Sequence, residues 1–126
     1  MIEIKLLDEA GVRIVHNQNS LDYALNRLVY EAFENSQSLG ICAFYIDGKK
    51  GCIELIKMYD DELMPIADGL LRSTLSLMLS RGVCEVTASD SVGLPLLCGT
   101  GFNKCEDNWE LKLTESFFSS CEGHSN

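Results

Sequence analysis

Two β-prone runs, residues 39–46 and 52–59, are joined by Asp47-Gly48-Lys49-Lys50-Gly51. An Asp-Gly step between apolar stretches is a strong hairpin signal, because glycine supplies the positive φ that a tight turn needs. An antiparallel pair near the middle of the chain therefore anchors the fold, and the remaining segments must pack on it. Directly after the pair, the acidic Asp60-Asp61-Glu62 leads into a helical pattern. Pro65 suits a first turn, Ile66, Leu70, Leu71, Leu75, Met78 and Leu79 make a buried stripe, and Arg81-Gly82 ends it. The alternation over residues 83–88 then reads as a further strand.

The flanks complete the pattern. Residues 2–7 read as a first strand, followed by a turn around Asp8-Glu9-Ala10-Gly11 and a short apolar piece over residues 12–15. Ser20 is a candidate N-cap, with Asp22 in the first turn and Leu21, Leu25, Leu28, Val29, Ala32 and Phe33 on one helical face. That stripe predicts a helix from Ser20 to about Asn35. Residues 91–100 read as a short helix interrupted by Gly93 and Pro95. Residues 109–113 alternate as a late strand, and Phe117-Phe118 covers the core beyond it. The predicted order is β-α-β-β-α-β-α-β, an α/β chain with a mixed sheet. One domain is expected over residues 1–120, with a frayed tail over 121–126.

Charge excludes some functions. With 10 basic against 19 acidic residues the chain carries −9, and Lys49-Lys50 is its one adjacent basic pair. That pair reads as a solvated turn, so no basic stripe exists for nucleic acid, and an anionic membrane surface is disfavoured. The start of the chain lacks a signal-peptide profile and no apolar run could span a bilayer, so a cytoplasmic location is expected. The cysteines at 42, 52, 84, 98, 105 and 121 form no paired spacing, and only two histidines accompany them. They read as free thiols, mostly small core residues, rather than as a metal site.

Three pieces, in order, carry a family resemblance: the helix segment Gly69-Leu70-Leu71-Arg72-Ser73-Thr74-Leu75, the turn Arg81-Gly82-Val83, and Gly101-Phe102 before the last strand. With the hairpin ahead of them, they make residues 39–113 resemble the GNAT acetyltransferase superfamily. The resemblance implies a compact GNAT-like acyl-CoA N-acyltransferase fold, with one helix between the first and second strands where typical members carry two. It also implies a small-molecule acyl donor, acetyl-CoA or CoA, and a homodimer, for which the hairpin or Phe117-Phe118 offers an apolar patch.

The same resemblance assigns site positions. The pantetheine arm would run along the backbone of residues 53–58, engaging Ile53, Leu55, Ile56 and Met58 in the manner of an added strand. The phosphate loop maps onto Met64-Pro65-Ile66-Ala67-Asp68-Gly69. There Ala67, Gly69, Leu70 and Arg72 become the cofactor-binding candidates at a helix N-terminus. Pro65 withholds an N–H, and Asp68 would repel phosphate by roughly 1 to 4 kcal/mol at ~4 Å unless it turns away or Arg72 neutralises it. An i,i+4 ion pair between Asp68 and Arg72 is the preferred reading.

The family's proton-donating tyrosine maps onto Leu97, and a frequent asparagine onto Asp90, so the usual acid is missing. Cys98 lies next to Leu97 as a candidate nucleophile. Glu54 is the candidate base: alternation places it with Cys52, Ile56 and Met58, an apolar setting that would raise its pKa. Its other reading is a glutamate paired with Lys57 or Lys112, or exposed at a strand edge. Two functions stand against each other: an acetyl-CoA-dependent transferase acting on an amine, and a non-catalytic GNAT-like module for association or ligand sensing.

Overall fold

A computed structural model describes residues 2–22, 24, 26–60, 64–89, 100–105 and 108–113. Its centre is the expected hairpin. Strand β3 (Gln37–Asp47) turns at Gly48, whose φ is +62°, and returns as β4 (Lys50–Met58). Helix α2 (Met64–Ser80) follows, stops at Gly82 with φ +83°, and leads into β5 (Glu85–Ser89), which lies parallel to β4. Gly101, at φ +108°, turns the chain so that Phe102 enters the main core. Then β6 (Asn103–Cys105) and β7 (Asn108–Lys112) complete a seven-stranded mixed sheet, ordered β1-β2-β3-β4-β5-β7-β6. The three-residue β6 is an element the sequence reading did not contain.

The N-terminal third corrects that reading. After β1 (Ile2–Leu6), the helix is α1 (Glu9–Gln18), where a turn and a short apolar piece were expected. Asp8 caps it, its Oδ1 accepting from the Gly11 N–H at 2.8 Å. Ser20 has φ 57°, a left-handed residue after the helix, whereas an N-cap needs extended backbone. The expected helix to Asn35 is instead strand β2 (Arg27–Glu34), antiparallel to both β1 and β3. Its apolar residues look helical because both of its faces are covered. Leu28, Tyr30 and Ala32 face α2, while Val29 faces α1. Asn35 and Ser36, both at positive φ, form the tight turn into β3.

Two cores result. The larger lies between the sheet and α2, around Phe44, Ile53, Leu70, Leu71, Leu75 and Met78. The smaller lies between the opposite sheet face and α1, around Val12, Val15, Val29, Ile41 and Ala43. Among the described residues α1 covers only part of its face. No helix of the described residues is long and apolar enough to cross a membrane. The short helix expected over residues 91–100 lies outside the described residues apart from Thr100, as do Phe117-Phe118 and the tail.

Candidate functional site at the parting of β4 and β5

Strand β4 is paired on both sides only over its first half. Its ladder with β5 runs Lys50↔Glu85, Gly51↔Val86, Cys52↔Thr87 and Ile53↔Ala88, and stops there. Its ladder with β3 continues to Gly40↔Met58. Beyond Ile53, β4 therefore has no strand partner on the β5 side among the described residues. At the parting point the Ser89 hydroxyl donates to the Glu54 carbonyl at 3.4 Å.

A bulge sits at the same place. Ala43 opposes Leu55 and Phe44 opposes Ile53, so Glu54 is the extra residue on β4. The bulge changes which face later side chains occupy. Cys52 and Glu54 look toward the α1 face, but Ile56 and Met58 join the α2 core. The expectation that Glu54 shares a face with Ile56 and Met58 is thereby corrected: regular alternation fails across an inserted residue.

Register identifies the backbone groups that look into the gap. The Tyr59 N–H donates to the Leu39 carbonyl at 3.1 Å, and hydrogen-bonded and non-hydrogen-bonded pairs alternate along an antiparallel ladder. Leu55 and Lys57 thus turn their amides toward β3. Ile56 and Met58, opposite Cys42 and Gly40, turn theirs away from β3 toward the gap. Of the four residues expected along this edge, Ile56 and Met58 direct their amides into the gap, and Leu55 does not. Ile53 is already paired on both sides, with Phe44 and Ala88.

Around Glu54 the α1 face is polar and aromatic. Opposite residues share a face, so Arg27, Tyr45, Cys52, Thr87, Glu110 and Asn103 form one row across six strands. Five of them, all but Arg27, line a cleft of about 620 Å³, a volume suited to a small molecule. Arg27 lies over the Tyr45 ring, 4.1 Å from its centroid, and its Nε is 3.3 Å from Glu54 Oε1. The partner of Glu54 is therefore Arg27, rather than Lys57 or Lys112. Lys57 instead reaches the Asn19 side chain at 3.4 Å. The Tyr45 phenol is held above its ordinary value. The Cys52 thiol, through a hydrogen bond and its charge, is the main cause; partial burial and Glu54 add to it, and Arg27 opposes it.

The helix end differs from a loop-to-helix phosphate cradle. Met64 and Pro65 already belong to α2, so Ala67 and Gly69 lie within its first two turns, where amides bond to carbonyls four residues back. Ala67 and Leu70 are fully buried in the main core. Gly69 packs against β1: a Cβ there would stand 3.3 Å from Ile4 Cδ1. Arg72 is about 12 Å along the axis from the helix start. Its Nε meets Asp68 Oδ2 at 2.9 Å, the ion pair favoured from the sequence. Asp68 is thus turned along its own helix and matched by a cation.

Cys98, Leu97 and Asp90 lie outside the described residues. Of the described thiols, Cys42 is buried, Cys52 half-buried and Cys84 exposed. Sequence reasoning missed Arg27 and Tyr45. Arg27 was hidden inside a stretch read as helix, and Tyr45 inside a hairpin strand read only as structure.

This mixed sheet, whose central parallel strands part beside a bulge with a helix following the first of them, matches the fold of many solved GNAT N-acetyltransferases. The ribosomal-protein-S18-alanine N-acetyltransferase of Escherichia coli matches with a TM-score of 0.72 at 12% identity, over 90% of this chain and 95% of that one. A GNAT-family acetyltransferase of Staphylococcus aureus matches at 0.69 and 9% identity, over 90% and 100%. The PaiA N-acetyltransferase of Thermoplasma acidophilum, solved in complex with coenzyme A, matches at 0.56 and 22% identity, over 79% and 66%. No family model and no curated protein matches the sequence.

Proposed function

We propose that this chain binds acetyl-CoA in the gap beside β4 and transfers the acetyl group to an amine held in the cleft on the α1 face. The observation that carries the reading is the end of the β4–β5 ladder at Ile53, which leaves the Ile56 and Met58 backbone groups directed into the gap. An extended pantetheine arm carries amide groups that can bond such an edge as an added strand would. The likeness to a structure holding coenzyme A supports the same ligand. Asp68, already matched by Arg72, exerts little of the repulsion that its charge alone would cause.

Bound acetyl-CoA supplies a thioester carbonyl. As the amine nitrogen bonds to that carbon and the carbon–sulfur bond breaks, one proton must leave nitrogen and one must reach sulfur. Glu54, at the parting point, takes the proton from nitrogen. Tyr45, on the same face with its phenol kept protonated at neutral pH, supplies the donor that position 97 lacks. Calorimetry with acetyl-CoA tests the binding step, and thiol release in the presence of small primary amines tests the transfer. Glu54→Gln is expected to keep the affinity for acetyl-CoA and to lower turnover about 10²- to 10⁴-fold. Absence of both heat and thermal shift at millimolar acetyl-CoA would remove the reading.

A further inference from the structure

The proposed proton acceptor and donor stand on different strands, β4 and β3, and a third strand ties them together. Arg27 on β2 is directly opposite Tyr45, and Tyr45 is directly opposite Cys52. The Arg27 guanidinium lies over the Tyr45 ring at 4.1 Å while its Nε stands 3.3 Å from Glu54 Oε1. Both ends of the ion pair are largely shielded, with side-chain exposures of 20% and 18%. It spans β3, on which Tyr45 lies opposite Arg27 and Ala43 pairs with both Val29 and Leu55. A planar guanidinium can stack on a ring with its face while its edge meets a carboxylate, which an ammonium cannot do.

We infer that Arg27 is a positioning residue, holding the Glu54 carboxylate and the Tyr45 phenol in one arrangement, with Tyr45 lining the cleft. The inference rests on the transfer reading given above. Two features of the fold favour it. Glu54 is the bulged residue of β4, so it lacks an opposite neighbour on β3 to fix its direction. Tyr45, by contrast, is exposed to the cleft on one face, and Arg27 covers another. Among the described residues, Arg27 from β2, Tyr45 from β3 and Cys52 along β4 stand around the Glu54 side chain, and the Ser89 hydroxyl from β5 meets its backbone carbonyl. Arg27 is the cation among these groups, so its removal changes both the direction and the charge of the pair.

The test uses the full chain with Arg27→Gln and Arg27→Lys, read in two ways. First, the Tyr45 ring is followed by carbon-13 NMR through its alkaline titration, which needs no activity. Arg27 opposes the upward displacement of this phenol, so Arg27→Gln is expected to move the titration to still higher pH, and Arg27→Lys to move it less. Second, acetyl transfer is measured. Arg27→Gln is expected to lower kcat about 10- to 100-fold with KM for acetyl-CoA within about twofold, and Arg27→Lys to recover part of the loss. An unmoved Tyr45 titration, or an unchanged kcat in either folded variant, overturns the positioning role. If the wild-type chain binds no acetyl-CoA, the transfer reading falls on that result, and Arg27 as a catalytic positioner falls with it. The titration then still decides whether Arg27 organises Tyr45.

Discussion

Gly51 and Gly40 show how single residues set the tolerances of this sheet. A Cβ on Gly51 would lie 2.6 Å from Met78 Sδ, so the glycine lets α2 settle on β4. A Cβ on Gly40 would lie 2.7 Å from the Lys57 carbonyl oxygen, which is backbone and cannot swing aside. Gly51→Ala is expected to cost about 1–3 kcal/mol in urea unfolding, because Met78 must repack in a filled core. Gly40→Ala should cost more. From the sequence Gly51 reads as part of the turn, since nothing in the chain announces which distant methionine will rest on it. Cys42 makes a pH prediction. Burial pushes its thiol up to about 12, against a small opposing hydrogen bond from Thr74. The unfolded thiol ionises near 8.5, so the stabilising contribution is complete below that pH and is lost as pH rises toward the folded value. Unfolding free energy should therefore fall between about pH 9 and 10, by up to about 1.4 kcal/mol per unit, before the raised Tyr45 phenol contributes. Cys42→Val should flatten that limb.

At the scale of elements, local signals compete and neighbours decide. Gly11 looks like a breaker, yet the Asp8 cap sustains α1, since a cap and an interior glycine are each worth about 1 kcal/mol. Asp8→Ala should cost about 0.5–2 kcal/mol in thermal or urea unfolding. The stripe from Leu21 to Phe33 fits a helical period, but residues 27–34 lie between two strands with both faces covered. A strand buried on both sides loses the alternation that would distinguish it from a helix. One local clue was present, Asn35-Ser36, a polar pair able to adopt the positive φ of a hairpin turn. Ser36 has φ 69°, which costs a side chain about 1 kcal/mol or more, so Ser36→Gly should raise the melting temperature by several degrees. Pairing of Arg27 with Tyr45 follows from this strand, and so the cation beside Glu54 could not be read before it.

For the molecule as a whole, the decisive feature is a ladder that ends. The alternating register predicts that the Ile56 and Met58 amides exchange with solvent faster than those of Leu55 and Lys57, which face β3. Saturating coenzyme A should slow the first two and leave the others nearly unchanged, measured residue by residue by hydrogen exchange. Equal protection of all four amides without ligand would contradict an open edge. The central hairpin, α2 and its glycine stop, the strand into β7 and the Asp68–Arg72 pair follow from the sequence by itself, because each depends on residues close together in the chain. Where β4 leaves β5, which residue bulges, and which cation meets Glu54 were decided only in three dimensions. Those depend on register between strands distant in sequence, and a single inserted residue there exchanges the faces of every side chain beyond it.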